Sequence, residues 1–205
     1  MEIPQNEVTD SPLRKLSLSN KKIILASNSP RRSELLKGLG IEFTVKTLPV
    51  DESFPPDMEG TQVAAYLASK KAAAYASVIG EGEILITADT VVLAAGLILN
   101  KPQTMQEAHE MLRSLSGKKH QVITAVSIFD QNRTVLIEDL ATVYFRELKE
   151  EEIRYYVHRY KPFDKAGAYG IQEWIGYVAV EKIEGSFYTV MGFPVHLVYQ
   201  ALAEW

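Results

Sequence analysis

From Lys22 onward the chain alternates short apolar runs with stretches of helical spacing. KIILAS (22–27) is an apolar run suited to a buried strand, and NSPRRSELLKGLG (28–40) then changes to a helical period. Ser29 is placed to cap that helix and Pro30 to open it. Leu35, Leu36 and Leu39 form its apolar stripe, and Gly38 and Gly40 are stop signals. IEFTVKT (41–47) alternates apolar and polar positions as a half-buried strand does. The Pro-rich stretch 51–60 predicts a loop, and TQVAAYLASKKAAAYASVIG (61–80) an Ala-rich helix. EILITADTVVL (83–93) and GLILNKP (96–102) predict a buried strand that turns at Ala95–Gly96 into a partner. Thr104 and Glu107 have capping-box spacing, opening a helix that ends near Gly117.

HQVITAVSIFD (120–130) and TVLIEDLATVYFREL (134–148) flank Gln131–Arg133 as a long hairpin. Glu150–Glu152 begin the next helix, and Arg154, His158 and Arg159 lie toward its end, matching the macrodipole at both ends. After Pro162 come a Gly- and Ala-rich segment, DKAGAYGIQ (164–172), a strand over YVAVEKIEG (177–185) and a closing helix, FPVHLVYQALAEW (193–205). There is no internal repeat and no linker. This mixture predicts an α/β fold with a mixed sheet, as one domain over 21–205 preceded by a loose N-terminal extension, 1–20.

Composition narrows the function classes. Hydrophobic residues make up 46% and charged residues 23% of the 205, enough for a full core and unlike a disordered or collagenous chain. Lys and Arg number 22 against 26 Asp and Glu, a net charge of -4, so no diffuse positive field favours nucleic acid, and an anionic ligand needs a local basic cluster. With no Cys there is no disulfide framework, zinc–thiolate site or thiol nucleophile. Residues 1–20 lack the apolar core of a signal peptide, and ILITADTVVLAAGLIL (84–99) is shorter than the ~20 residues of a membrane span and contains Asp89. The expectation is a cytoplasmic protein without a membrane partner.

Four features carry candidate chemistry. Ser29-Pro30-Arg31-Arg32 sits where a strand passes into a helix, and unpaired N–H groups with a positive dipole end suit phosphate there. Two arginines in a first turn oppose the dipole unless an anion offsets them, and each close Arg–phosphate pair brings ~4 kcal/mol of Coulomb energy at an effective dielectric of 20. The alternative is a capped helix with two solvated arginines. Asp89 lies inside an apolar strand, where an isolated carboxylate costs several kcal/mol; a metal, a basic partner or a general-base role would resolve this, as would a strand-end position accepting backbone N–H bonds. Lys71 falls on the apolar stripe of its helix with Val63 and Leu67, which by itself favours snorkelling outward over turning into a polar cleft. Lys101, before Pro102, reads alone as an ordinary loop lysine. The glycine-rich phosphate-loop and dinucleotide fingerprints, the G-x-S-x-G elbow and metal-ligand spacing among His109, His120, His158 and His196 do not occur.

Taken in order, LASNSPRRSELL (25–36), LASKKA (67–72), ADTVV (88–92), NKP (100–102), LSGKKHQVITAV (115–126), FRELKEEEIRYYV (145–157), DKAGAYGIQ (164–172) and IEGSFYTVMGFP (183–194) resemble the Maf family of nucleoside triphosphate pyrophosphatases, from Lys22 to the last helix. The resemblance implies a mixed, twisted sheet flanked by helices in two lobes with a cleft between, similar to inosine triphosphatases. It also implies cleavage between the α and β phosphates to a monophosphate and diphosphate, a divalent metal cation (Mg or Mn) and a possible homodimer. It places the proton acceptor on Asp89, base preference on Arg31, Thr90 and Gln172, and further polar pocket positions on Ser29, Arg32, Glu52, Lys71 and Lys101. On this reading Ser29, Arg31, Arg32, Lys71 and Lys101 take the phosphates and Glu52 and Asp89 the metal, Asp89 serving as base or orienting a metal-bound water. The SPRR form, with Thr after the Asp and Gln after YGI, resembles the branch acting on dTTP and UTP. Alternatives are a pyrophosphatase for 7-methyl-GTP or another modified nucleotide, and a nucleotide-sensing regulator of cell division.

Overall fold

A computed structural model describes Leu18 and residues 20–205; the loose extension expected over 1–20 otherwise lies outside the described residues. The chain begins its sheet with β1 (Lys22–Leu25), followed by α1 (Pro30–Gly38), β2 (Phe43–Val45) and α2 (Val63–Tyr75). Two long strands with a short one between them come next, β3 (Glu83–Ala94) and β4 (Leu97–Leu99), then α3 (Met105–Leu115) and β5 (Lys119–Phe129). β6 (Thr134–Phe145), α4 (Glu150–Tyr160), a 3-10 turn (Ala166–Ala168), α5 (Trp174–Ala179), β7 (Val180–Glu184), α6 (Phe187–Val190) and α7 (Val195–Ala203) complete it. Among the described residues no helix is long and apolar enough to cross a membrane.

The seven strands form one mixed sheet in the order β2-β1-β3-β5-β6-β7, with β4 paired to β3. β1 is parallel to both β2 and β3, and the other pairings are antiparallel. β3 has 12 residues and spans roughly 40 Å at 3.3 Å per residue, so it serves two cores. Its first half carries Ile84, Ile86 and Ala88 into a cluster with Leu25, Leu36, Phe193, Val198 and Leu202. At its far end Val92 packs with Leu112, Val122, Tyr156 and Ile175. α2 covers the opposite face, where Val63, Ala64, Leu67 and Ala68 meet Val91, Ile123 and Ala125.

The two edges of β3 differ. One is continuously paired with β5 from Leu85 to Leu93. On the other, β1 stops at Ile86 and β4 begins at Val92, and among the described residues no strand pairs that edge over 87–91. The sheet therefore has a notch between the lobe built on β1 and α1 and the lobe built on β4, α3 and α4. Asp89 and Thr90 lie in it and, as neighbours on a strand, point to opposite faces.

The strand expected over 177–185 begins three residues later, since Tyr177–Ala179 complete α5. Ile175 and Ala179, four apart, are both fully buried, and Gly176 packs where a Cβ would stand 1.7 Å from the Ile171 carbonyl oxygen. The burial of residues four apart favours a helical turn over the alternation of the next residues, and the close contact at Gly176 admits only glycine there. The strand expected over 41–47 is likewise reduced to Phe43–Val45, an edge strand with Thr44 and Val45 exposed.

Candidate active site

The helix cap forms as its residues dictate. Ser29 Oγ accepts from the Arg32 amide at 3.4 Å, Pro30 opens α1, and the first turn contains no acid. This positive helix end faces the notch across a cavity of about 350 Å³. The cavity wall includes Ser29, Arg31, Arg32, Glu52, Lys71, Asp89, Thr90, Lys101 and Gln172, so every residue singled out in the sequence meets in one place. Five cations line it, with Lys165 joining Arg31, Arg32, Lys71 and Lys101, against the carboxylates of Glu52, Asp89 and Asp164. The positive excess suits a polyanion.

Asp89 is 9% exposed and is not a strand-end residue; a basic partner resolves its burial. Lys71 Nζ lies 2.5 Å from Asp89 Oδ1 and 2.7 Å from Glu52 Oε1, so Lys71 turns into the cleft and does not snorkel as its stripe position alone suggests. The reason is electrostatic, because two carboxylates converge on the ammonium. Lys101 approaches Glu52 Oε2 at 3.5 Å from a half-exposed position. Burial pushes the Glu52 carboxyl up, but the hydrogen bond and charge of Lys71, with Lys101, outweigh this and hold it below its ordinary value.

The two arginines differ. Arg31 reaches Asp164 Oδ2 at 2.9 Å, whereas Arg32 is committed to the protein. Arg32 Nε donates to the Gly192 carbonyl at 2.9 Å, Nη1 to the Ala88 carbonyl at 2.9 Å and Nη2 to Thr90 Oγ1 at 3.0 Å. Burial pulls its guanidinium below the ordinary value, against the charge of Asp89. Arg32 thus ties the unpaired edge of β3 to the 192 turn, and toward a phosphate it offers chiefly charge. Thr90 is similarly occupied. Thr124 Oγ1 gives its proton to the Thr189 carbonyl at 2.9 Å, so in the 3.0 Å contact between Thr90 and Thr124 the donor is Thr90. With one lone pair taken by Arg32, Thr90 has no proton left for a ligand. Gln172 presents the opposite case, since its buried Oε1 has no partner.

Asp164 and Lys165 were missed in the sequence, although both lie in the DKAGAYGIQ block. The available signal was a charged pair heading a Gly- and Ala-rich segment. Behind the pocket wall, His120 Nε2 meets the Tyr169 hydroxyl at 2.7 Å, and burial pulls the imidazole down to about 4.

The donor set fits a divalent cation of the hard type. Glu52 and Asp89 converge on the Lys71 ammonium, and theirs are the carboxylates at hand for a Mg-like ion, which is held by one or two carboxylates together with substrate phosphates and water. Among the described residues no group of three or more acidic or histidine side chains forms a closed cage.

Fold and pocket together describe an α/β protein with a cationic notch, faced by a strand-borne carboxylate, of a kind that suits a polyanion. The family described as Maf-like protein matches residues 22–205, and the chain belongs to it. A Bacteroides thetaiotaomicron protein named dTTP/UTP pyrophosphatase is 52% identical over 187 residues, 91% of this chain and 97% of its own. A Porphyromonas gingivalis protein of the same name is 51% identical over 191 residues, 92% of this chain and 96% of its own. Among solved structures, the Staphylococcus aureus Ham1 protein aligns over 61% of this chain and 72% of its own, with a TM-score of 0.45 and 14% identity.

Proposed function

We propose that the chain is a nucleoside triphosphate pyrophosphatase that hydrolyses dTTP and UTP to the monophosphate and diphosphate. The observation that carries this reading is the meeting of Asp89 with Lys71, Lys101, Arg31 and the α1 N-terminus around one cavity. The relatives' shared name supports the choice of substrates.

In this mechanism the α1 N-terminus, Ser29 and Arg31 hold phosphate oxygens from one lobe, and Lys71 and Lys101 hold them from the other. Arg32 keeps the β3 edge in place and adds its charge. Glu52 and Asp89 would hold a divalent cation (Mg or Mn), which when bound neutralises phosphate charge and makes water more nucleophilic. Asp89 accepts the proton of the attacking water, and Lys71 holds that carboxylate in place meanwhile. The buried, unpartnered Oε1 of Gln172 accepts N3–H of uracil or thymine, a hydrogen that cytosine lacks at that position. Thr90 acts on base preference indirectly, through Arg32. We place the reaction in the cytoplasm, where such substrates are formed.

A panel of nucleoside triphosphates, including CTP, GTP and 7-methyl-GTP, with product identification and a chelator control, tests the assignment. UMP plus diphosphate is expected from UTP; UDP plus orthophosphate would place the cut at the wrong bond. Asp89→Asn should lower kcat on UTP by about 100-fold or more while UTP binding persists. Near-normal turnover in that variant removes Asp89 as the base.

A further inference from the structure

The segment from Asp164 to Glu173 carries a charge network centred on a buried lysine, and the mechanism above gives that lysine no role. Lys165 is 7% exposed, and a lysine that deep needs partners. Its Nζ lies 2.7 Å from Asp164 Oδ1 and 3.0 Å from Glu173 Oε1. Each acid also holds a second group. Asp164 Oδ2 pairs with Arg31, and Glu173 accepts a hydrogen bond from the Tyr156 hydroxyl, whose oxygen accepts the Gly170 amide at 3.0 Å. A Cβ at Gly170 would come within 3.0 Å of both Lys165 Cε and Glu173 Cδ, so the ion pair lies directly against the main chain. Burial pushes the Tyr156 hydroxyl up, reinforced by its bond to Glu173. Burial also pushes the Asp164 carboxyl up, but Lys165 and Arg31 outweigh this and hold it below its ordinary value.

We propose that Lys165 is a positioning residue of the pocket: through Asp164 it orients Arg31, and through Glu173 it fixes the turn that presents Gln172. The proposal rests on the reading of this cavity as the nucleotide site. Arg31 and Gln172 come from opposite ends of the sequence, and both have long side chains with several rotatable bonds. Restraining them before the ligand arrives lowers the ordering cost of binding, and an ammonium shared by two acids does this for both at once. It also balances carboxylates that would otherwise repel an incoming triphosphate.

The test measures kcat and KM for UTP and CTP, with thermal unfolding, on the wild-type chain, Lys165→Met and Lys165→Met/Glu173→Gln. In Lys165→Met the KM for UTP should rise about tenfold, kcat should stay within about threefold, and the UTP-over-CTP preference in kcat/KM should narrow about tenfold. The double variant, with the stranded carboxylate neutralised, should recover most of the preference. If Lys165→Met folds poorly, the double variant alone decides: a preference within about threefold of wild type at a KM still raised supports the proposal. An unchanged KM and UTP-over-CTP ratio in Lys165→Met overturns it. So does an activity loss that follows only the unfolding temperature and is not relieved in the double variant. Wild-type protein that hydrolyses neither UTP nor dTTP defeats the functional reading itself, a result distinct from either of these.

Discussion

Arg32→Lys separates two roles for one cation. The substitution keeps the charge that a triphosphate would feel but replaces a planar fork by a single ammonium. In the native protein that fork makes three bonds of 2.9–3.0 Å, to the carbonyls of Gly192 and Ala88 and to Thr90 Oγ1. A lysine retains one of them. Two hydrogen bonds from a charged donor, at about 1.5–3 kcal/mol each, amount to a loss of about 3–6 kcal/mol. For a domain of this size each kcal/mol lowers the unfolding temperature by about 2–4 °C, so a fall of about 6–24 °C is expected. Thermal unfolding monitored by circular dichroism measures it directly, with UTP turnover recorded well below the transition. There, KM for UTP should rise by less than about tenfold, because the charge remains. The reasoning is refuted if the unfolding temperature is unchanged while KM rises tenfold or more; Arg32 would then be a direct phosphate ligand rather than a brace on the β3 edge.

Two further substitutions test the surroundings of the pocket. His120 is neutral in the fold, with a value pulled to about 4 by burial from an ordinary 6.5, so between those limits the unfolded chain binds more protons. Stability should therefore rise with pH from 4 to 6.5, by up to about 3–4 kcal/mol at roughly 1.4 kcal/mol per unit. In His120→Gln, which can still meet the Tyr169 hydroxyl, the pH slope of urea-unfolding stability over that window should flatten; an unaltered slope assigns the effect to other groups. Gly176→Ala places a methyl 1.7 Å from the Ile171 carbonyl oxygen, so the 171–176 turn must shift. A loss of about 3 kcal/mol is expected by urea unfolding, and a loss under 1 kcal/mol would mean the turn is not packed so tightly.

Much of the fold could be read from local signals. Ser29 and Pro30 mark a helix start because capping and a fixed φ depend only on neighbours in sequence, and the structure has them so. The 83–93 and 120–148 strands were legible because their apolar character persists over more residues than a turn allows. Asp89 stood out for the same reason, as a charge interrupting such a run. What sequence could not reveal depends on partners. The notch at 87–91 exists because β1 ends and β4 begins on the same edge, and no property of those five residues announces it. Lys71 sits on an apolar stripe, and its turn inward depends on Glu52 and Asp89, which lie 19 residues before it and 18 after it. The hydroxyl of Thr90 became unavailable as a donor only through Thr124 and Thr189. The last turn of α5 reads as strand in the sequence because Tyr177–Ala179 satisfy both periods, and the burial of Ile175 and Ala179, four apart, decides between them.

The unbroken ladder between β3 and β5 also works as a ruler. From Leu85 to Leu93 each residue is matched across to Phe129 through Gln121, and this pairing is what sends the Asp89 carboxylate to one side and the Thr90 hydroxyl to the other. Strand geometry has a parity of two, so a single-residue slip would hand the carboxylate to the arginine side and the hydroxyl to the lysine side. The distance between the two walls is likewise carried by continuous backbone, with no flexible joint in it. Adaptation to different nucleotides therefore falls to side chains and rim loops, while the frame that faces the triphosphate keeps a constant gauge.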